Sequence, residues 1–417
     1  MNRPLRILNL IRTLNPEHGG PAEGLRQSVV ATRALGHEEE VLSLDTPGAP
    51  WLAAFPAPAH AVGPAQGVYG YTPRLLPWLQ AHGAQYDALV VHGLWQYLGL
   101  ATRQALAGTG QPYFVYTHGM LDPWFKRRYP LKHAKKWLYW PWGEYRVLRD
   151  AAAVLFTTEE ESRLAAQTFW LYRARHEVLG YGLELDEQAR HARAEDFLSC
   201  FPALRGRRLL LFLGRIHPKK GCDLLIEAFA AVVDEDPQLH LVMAGPDQVG
   251  LQPTLQALAQ RLGVGHRVTW TGMLQGAPKW GALRAAEAFV LPSHQENFGV
   301  AVAEALAMGV PALLSTQVNI WREVVDAGAG LAEPDTVAGT TALLSRWLAL
   351  PGAAQAAMRQ AAPGCYERHF HIRAAAQRLV SLVQRHARPP PRTQGFGDET
   401  KPFLSADSQP CNTGRPQ

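Results

Sequence analysis

The chain has 417 residues, which is more than one hydrophobic core usually supports, so two domains are expected. Hydrophobic residues make up 47% and charged residues 18%, a balance that excludes an intrinsically disordered protein. The net charge of +5 indicates an anionic partner, but neither a zinc-finger spacing nor an RNA-binding aromatic motif is present, so no nucleic-acid partner is expected.

The N-terminal half alternates β-branched runs with helical segments, a pattern typical of parallel α/β units. Its first residues are predicted to form a strand rather than a signal peptide, because Arg12 interrupts the apolar stretch, and this favours a cytoplasmic protein. A helix is predicted over 22–35 and a loop over the Pro- and Gly-rich stretch 46–64. The predicted strands are 6–11, 41–44, 88–91, 113–117 and 152–156.

A second series of the same kind begins near residue 208. Its predicted strands are 209–213, 239–244, 267–271, 288–291 and 311–315, and its predicted helices are 222–233, 251–262, 278–286 and 300–308. Two series of ordinary domain size predict two Rossmann-like α/β domains facing a cleft. The predicted segments are an N-terminal domain at 1–190, a C-terminal domain at 205–365, a helix that packs back at 366–387 and a disordered tail at 388–417.

The most informative motif is LPSHQENFGVAVAEALAMGVP at 291–311, where a predicted strand ends and a helix opens near Gly299. The N–H groups at the start of such a helix can bind an anion, and glycine lets the ligand approach closely. Glu296 and Glu304 are separated by seven residues, and carboxylates accept hydrogen bonds from vicinal sugar hydroxyls. Without the rest of the motif, the two glutamates would be interpreted as acids on an amphipathic helix with no binding role.

A second motif, LFLGRIHPKKG at 211–221, places Gly214, Arg215, Lys219 and Lys220 after a predicted strand. Arginine forks onto phosphate oxygens and lysine supplies a point charge. Fixed positive groups stabilise the negative charge that builds on a departing phosphate. Without further context, a solvated basic loop is the favoured interpretation of this segment.

These motifs resemble the retaining glycosyltransferase family 4, and the resemblance spans roughly residues 5–385. The family pattern ENFGxxxxEAxAxGxP is matched by Glu296, Asn297, Phe298, Gly299, Glu304, Ala305, Ala307, Gly309 and Pro311. Its G-R-x-x-x-x-K-G pattern is matched by Gly214, Arg215, Lys220 and Gly221. The resemblance implies the GT-B fold, in which the C-terminal domain holds the nucleotide and the N-terminal domain the acceptor.

The resemblance also implies roles for individual residues. Arg215 and Lys220 would stabilise the leaving diphosphate, although whether Lys219 or Lys220 is the main phosphate ligand stays open. Glu296 would hold sugar hydroxyls, and Glu304 would hold the ribose. The implied donor-binding set is Gly19, Gly20, Gly214, Gly245, Asn297, Phe298, Gly299, Val300 and Glu304. The co-substrate would be a nucleoside-diphosphate sugar, with no metal and no other cofactor.

Two further loops follow predicted strands of the first series. The turn NPEHGG carries Gly19 and Gly20, and the family has a Gly-Gly loop facing the cleft at this place. The segment YTHGMLDP carries His118, which the resemblance places near the transferred sugar. The string HGMLDPW resembles enzymes of bacterial capsule, exopolysaccharide and O-antigen assembly. His92 ends the preceding strand, and a cleft role and a structural role are both open for it.

The stretch Trp124–Arg149 holds eight basic and eight aromatic residues. Such a mixture favours an anionic membrane interface, which would bring the enzyme to a lipid-linked acceptor at the inner face of the membrane. The alternative is a core helix with a solvated basic face, and Pro130 and Pro141 would break a single long helix.

The expected function is therefore transfer of a sugar to a glycan or lipid-linked acceptor in cell-surface polysaccharide synthesis. The sequence departs from the family at 178–184, which reads VLGYGLE, and after Gly245, where Pro246 and Asp247 follow. Two alternatives stay open, a sugar-nucleotide epimerase on the same fold and a non-catalytic module that binds glycans or partners. The donor base, the sugar, the linkage and the oligomeric state are not specified by the sequence.

Overall fold

The computed structural model describes residues 3–16 and 20–387. Gly19 and the predicted tail at 388–417 therefore lie outside the described residues. Within the described part, two parallel sheets are each flanked by helices, which confirms the expectation of two Rossmann-like α/β domains. No helix in this part is long and apolar enough to cross a membrane.

The first sheet has seven strands in the order β3-β2-β1-β4-β5-β6-β7, and every pairing is parallel. Its central strands are buried on both faces, as expected for a sheet covered by helices on both sides. The strands are β1 Arg6–Ile11, β2 Glu38–Ser43, β3 Ala59–Ala61, β4 Ala88–His92, β5 Tyr113–Tyr116, β6 Ala153–Phe156 and β7 His176–Val178.

Ten helices accompany this sheet and the segment that leads to the second one. They are α1 Gly20–Ala34, α2 Pro50–Ala53, α3 Leu75–His82, α4 Tyr97–Ala105, α5 Trp124–Arg128, α6 Pro130–Tyr139, α7 Glu144–Asp150, α8 Glu159–Ala165, α9 Glu187–His191 and α10 Glu195–Leu198. Proline at the first position of α6 separates it from α5, because proline cannot donate an N–H within a helix. The basic aromatic stretch is thus three short helices.

The second sheet has six parallel strands in the order β10-β9-β8-β11-β12-β13. The strands are β8 Arg208–Leu213, β9 Leu239–Ala244, β10 Val268–Gly272, β11 Ala286–Leu291, β12 Ala312–Ser315 and β13 Gly330–Glu333. The helices are α11 Cys222–Val232, α12 Gln252–Arg261, α13 Gly276–Ala285, α14 Val300–Ala307, α15 Trp321–Asp326, α16 Val337–Ala349, α17 Gly352–Cys365 and α18 Ile372–His386. Ala189 of α9 and Phe197 of α10 are buried in the core of this second sheet.

The last helix, α18, returns to the first sheet. Leu379 and Val383 of α18 lie in one buried cluster with Ile7 of β1 and Phe114 of β5. A π-helical turn, Tyr366–Phe370, leads from α17 into α18. The chain therefore crosses between the two sheets twice, near residue 183 and near residue 371, where the two crossings bond to each other.

The prediction of a loop over 46–64 is wrong in part. This stretch contains α2 and the edge strand β3, which pairs with β2 through Val41, Leu42 and Ser43. Its three residues, Ala-His-Ala, are too few and too small to produce an alternating apolar pattern, so the pairing is set by the neighbouring strand.

Candidate active site

The two loop clusters predicted from sequence face one another at the carboxyl ends of the two parallel sheets, where α/β proteins bind ligands. Loops after β8 and β11 come from the second sheet, and the loop after β5 comes from the first. Gly214 and Gly245 meet behind the loop after β8, where a β-carbon on Gly245 would clash with the carbonyl oxygen of Gly214. Glycine at Gly245 therefore permits this close approach.

The loop after β8 presents a row of cations. Arg215 is exposed, and its guanidinium donates to Gln248 Oε1 at 3.3 Å. The side chain of His217 accepts from the backbone N–H of Lys219 at 3.1 Å and so caps the short 3-10 turn Pro218–Lys220. The turn holds the two neighbouring lysines in different directions, and their surroundings differ accordingly.

Lys220 forms an ion pair with Glu296, the first glutamate of the predicted motif. Burial alone would raise the pKa of Glu296, but the charges of Lys220, Lys219 and Arg215 outweigh it and hold this pKa below its ordinary value. Glu296 is therefore a carboxylate at neutral pH. This ion pair joins the two predicted motifs directly, because Lys220 belongs to the motif at 211–221 and Glu296 to the motif at 291–311.

Lys219 occupies a different environment. Its ammonium lies 5.9 Å from the ring centre of Trp124 and 5.6 Å from that of Phe125. Within the described residues it forms no ion pair. Burial lowers its pKa; the charges of Glu296 and Asp122 oppose this, whereas those of Lys220 and Arg215 lower the pKa further. Lys220, the lysine to which the resemblance gives the phosphate contact, thus pairs with Glu296, and Lys219 does not.

Glu304 lies one turn into α14 and pairs with Lys279 of α13 at 2.7 Å. Burial raises the pKa of Glu304, and Lys279 counteracts part of this rise. Lys279 had no signal in the sequence, because a single lysine in a surface-like helix matches no motif. The site therefore carries two lysine–carboxylate pairs, one at each end of the Glu-x7-Glu element.

Other residues of the predicted donor set have different surroundings. The side chain of Phe298 is buried between Tyr181 and Phe370, so only its backbone is available to a ligand. Gly299 precedes α14, and Val300 opens it. Val300 and Gly20 line one cavity of about 370 Å³ between the two domains.

His118 lies directly after β5 in the left-handed region, with φ 47°. The residues on either side hold it there, because the Thr117 hydroxyl and the Gly119 N–H both donate to Glu161 Oε1, at 2.5 and 2.6 Å. The His118 ring stacks on those of His92 and Tyr116, each with a 5.3 Å centroid separation. Burial lowers the pKa of His118 to about 4, so its ring is neutral at physiological pH.

Hydrogen bonds join the loops after β5 and β6 to the loop after β11. Gln295 donates to the buried carboxylate of Asp122 at 2.9 Å, and Asn297 donates to the Thr157 hydroxyl at 3.0 Å. Gly119 lies against Asn297, where a β-carbon would come within 2.9 Å of the amide side chain. The two domains are therefore in contact at the site, and the side chain of Asn297 takes part in this contact.

The residues that connect the motifs carry no signal in the sequence. Gln295 lies within the motif at 291–311 but matches no position of the family pattern, and Asp122 and Glu161 lie in separate segments. Their role is evident only from the contacts that they make in the folded structure. Among the described residues, no group of three or more His, Cys, Asp or Glu side chains is placed to hold a metal ion.

Comparison with protein families gives two matches in series. Residues 19–182 match the model described as "Glycosyl transferase 4-like domain". Residues 202–364 match the model described as "Glycosyl transferases group 1". The second match contains both lysine–carboxylate pairs, and the first contains His118.

Curated relatives and solved structures agree with these matches. The chain is 32% identical to the D-inositol 3-phosphate glycosyltransferase of Nocardia farcinica over 200 residues, covering 45% of this chain and 43% of the relative. The chain thus spans about half the length of the curated relatives it matches.

Two solved structures illustrate the shared fold. Anabaena HepE, solved in complex with UDP, has a TM-score of 0.73 at 18% identity, covering 91% of this chain and 100% of the other. Sucrose-phosphate synthase from Thermosynechococcus elongatus has a TM-score of 0.70 at 19% identity, covering 91% and 98%. With the two family matches, the sheet topology and the motif residues in one site, the chain belongs to the GT-B glycosyltransferases of the family 4 type.

Proposed function

We propose that this protein transfers a sugar from a nucleoside-diphosphate sugar to a hydroxyl of a glycan or lipid-linked acceptor, with retention of anomeric configuration. The observation that carries the proposal is the pairing of Lys220 with Glu296 beside Arg215, in the loops that face the N-terminal domain. This arrangement supplies cations for a diphosphate and a carboxylate for sugar hydroxyls within one hydrogen-bonded group.

The chemistry follows from these charges. The acceptor oxygen bonds to the anomeric carbon as the bond from that carbon to the β-phosphate oxygen breaks, and the hydroxyl proton passes to an oxygen of the leaving phosphate. Arg215 and Lys220 stabilise the negative charge that develops there. Because side chains supply this positive charge, we propose that the reaction needs no metal ion. Glu296 orients the sugar by accepting from its hydroxyls, and no covalent intermediate on the chain is needed.

The donor side is supported by Glu304 and by the solved relatives. Glu304 is a carboxylate with a 12% exposed side chain, and its remaining hydrogen-bonding capacity suits the two ribose hydroxyls. Anabaena HepE was solved with UDP, so UDP-sugars are the first donors to test. GDP- and ADP-sugars complete the set, because base contacts come from loops without a motif.

The acceptor side is supported by a second cavity of about 510 Å³, which lies between α5 and the loop after β8. Its walls combine aromatic rings with basic groups, including Trp124, Tyr129, Arg128, His217 and Lys219. Aromatic faces stack on sugar rings, and basic groups bind carboxylates or phosphates of an acidic glycan. This cavity supports an anionic or lipid-phosphate-linked acceptor and a role in cell-surface polysaccharide synthesis.

Work at an anionic membrane surface is supported by the face of α6. Leu131 and Leu138 are 82% and 79% exposed and lie two turns apart on one side, and Trp142 is 70% exposed just beyond. Lys132 and Lys135 are exposed on the same helix. Exposed apolar side chains interleaved with lysines are typical of an interfacial helix.

The membrane proposal predicts co-sedimentation with phosphatidylglycerol vesicles at low salt and little with phosphatidylcholine vesicles. A Leu131→Ser, Leu138→Ser variant should lose this binding. Met273→Ser, which changes an apolar side chain that is 62% exposed in the other domain, should retain it. Equal binding by all three proteins, or none by the wild type, would contradict the proposal.

The catalytic proposal is tested by incubating the purified chain with UDP-, GDP- and ADP-sugars in EDTA, with and without a bacterial lipid extract as acceptor. The expected result is acceptor-dependent release of one nucleoside diphosphate and a product with the donor's anomeric configuration. An altered nucleotide sugar formed without acceptor would point to an epimerase instead. Absence of binding to all donors would point to a non-catalytic module.

A further inference from the structure

A chain of four polar side chains crosses the interior of the first domain from His118 to Glu39. The four come from neighbouring strands of one sheet: Glu39 from β2, Asn9 from β1, His92 from the end of β4, and His118 from just beyond β5. Asn9 Nδ2 lies 2.7 Å from Glu39 Oε2, Asn9 Oδ1 lies 3.1 Å from His92 Nε2, and His92 Nδ1 lies 3.0 Å from His118 Nε2.

The inner three members are almost fully buried. Glu39, Asn9 and His92 are 2%, 1% and 7% exposed, so water does not substitute for the bonds between them. His118, at the outer end, is partly exposed. Its Nδ1 atom makes no hydrogen bond to any of the residues that the structure describes.

The direction of each bond follows from the carboxylate. Burial raises the pKa of Glu39 to about 7, and the hydrogen bond from Asn9 and the charge of Arg33 counteract part of the rise, so above this pH Glu39 only accepts. Asn9 must then donate through Nδ2, which leaves Oδ1 to accept from His92. His92 therefore carries its proton on Nε2.

The position of the ring proton on His118 follows from that on His92. Burial, followed by the effect of His118, holds the pKa of His92 well below its ordinary value, so His92 has a single ring proton. With that proton on Nε2, His92 Nδ1 accepts, and His118 must donate through its own Nε2. His118 is neutral as well, so its Nδ1 carries no proton.

We propose that Glu39, acting through Asn9 and His92, fixes the tautomer of His118 so that its Nδ1 accepts a hydrogen bond from a sugar or acceptor hydroxyl. Glu39, Asn9 and His92 are then positioning residues. The identity of the hydroxyl rests on the proposed function, whereas the tautomer does not. The buried carboxylate fixes which partner donates in each of these hydrogen bonds. A neutral residue that can both donate and accept would leave that direction undetermined.

The tautomer can be measured directly on the full chain. Nitrogen-15 NMR of histidine-labelled protein at pH 8.5 separates protonated from unprotonated ring nitrogens, and a His118→Gln variant assigns the signals of His118. The expected result is a protonated Nε2 and an unprotonated Nδ1. In Glu39→Gln, whose amide can donate or accept, His118 should populate both tautomers. A protonated Nδ1 in the wild type would overturn the proposal, whatever the reaction catalysed.

A matched pair of variants tests the effect on turnover. Glutamine at position 92 can donate to Asn9 and accept from His118, whereas leucine can do neither. We expect His92→Leu to lower kcat about tenfold to a hundredfold, as is usual when a partner that orients an active side chain is lost. His92→Gln should stay within about threefold of wild type on the same scale.

The affinity for nucleoside diphosphate controls for folding, because that ligand is assigned to the other domain. It should be unchanged in both variants. If His92→Gln and His92→Leu lose kcat equally while their nucleotide affinity is unchanged, His92 does not act by passing on the direction of the hydrogen bonds from Glu39 to His118.

Discussion

Replacing Lys220 and Lys219 separately by alanine tests which lysine stabilises the leaving phosphate. The two residues are adjacent in sequence, yet only Lys220 pairs with Glu296, while Lys219 lies over the rings of Trp124 and Phe125. Each substitution removes one positive charge from the same loop. A difference between the variants therefore reports the position of the charge and not its mere presence.

The expected magnitudes differ by more than the error of an assay. Loss of one donor that stabilises a developing oxyanion costs about 2.7–4 kcal/mol, so Lys220→Ala should lower kcat about 10²–10³-fold. Lys219→Ala removes two cation–π contacts worth about 0.5–1 kcal/mol each, together with one basic group of the proposed acceptor cavity, so it should raise the KM for the acceptor more than it lowers kcat. Its kcat should fall less than about tenfold on the same scale.

The assay is steady-state release of nucleoside diphosphate with the donor identified in the screen, at saturating donor. Lys220→Ala should lower both kcat and kcat/KM, because the interaction is strongest in the transition state. Thermal unfolding of both variants shows whether either has lost its fold. A Lys219→Ala variant that is as impaired as Lys220→Ala, or more so, would refute the assignment of the phosphate contact to Lys220.

Three other substitutions test separate parts of the structure. Burial raises the pKa of Glu144 to about 8, so the folded state retains a proton that the unfolded state releases near 4.5, and stability falls as pH rises between these values. The free energy of unfolding of Glu144→Gln, measured by urea unfolding, should therefore rise relative to wild type by up to about 4 kcal/mol between pH 5 and pH 8.5. A difference that does not change with pH would contradict the raised pKa of Glu144. Gly119→Ala, which places a β-carbon against Asn297 and retains φ 74°, should destabilise the protein by about 1–3 kcal/mol, as measured by the same method. Glu304→Gln removes the partner of Lys279 and should weaken nucleoside-diphosphate binding about tenfold in calorimetry, and an unchanged affinity would exclude Glu304 from the ribose site.

Much of the fold could be predicted from local sequence, because each central strand is a short apolar run that needs no partner for its recognition. The predicted strands at 6–11 and 239–244 have the bounds found in the structure. Edge strands such as β3 and β13 were missed, because their few residues take extended form only by pairing with a neighbour.

The site was predictable only where a motif runs along the chain. Glu296 and Lys220 belong to two such motifs, but their ion pair spans 76 positions and has no trace in either motif. The hydrogen-bonded series from His118 to Glu39 was less accessible still, since its members lie on three strands and just beyond a fourth, and only the sheet order brings them together. His92, for which a cleft role and a structural role were both open, contacts His118 directly.

The basic aromatic stretch shows how structure divides a mixed pattern. Trp140 is fully buried and stacks on Phe169, as a core residue would. Leu138 and Trp142 are exposed, as an interfacial helix requires. The core interpretation therefore holds for Trp140, whereas the membrane-interface interpretation stays a prediction that the vesicle assay tests.

We propose that a diphosphate binds at Lys220 and Arg215 beside Glu296, and calorimetric titration of the purified chain with UDP, GDP and ADP in EDTA measures this binding. We expect one of the three nucleotides to bind. Lys220→Ala and Arg215→Ala should each weaken this binding, while His92→Leu should not. Binding that is unaffected by both charge-removing substitutions, or no binding of any nucleotide by the wild type, would contradict it.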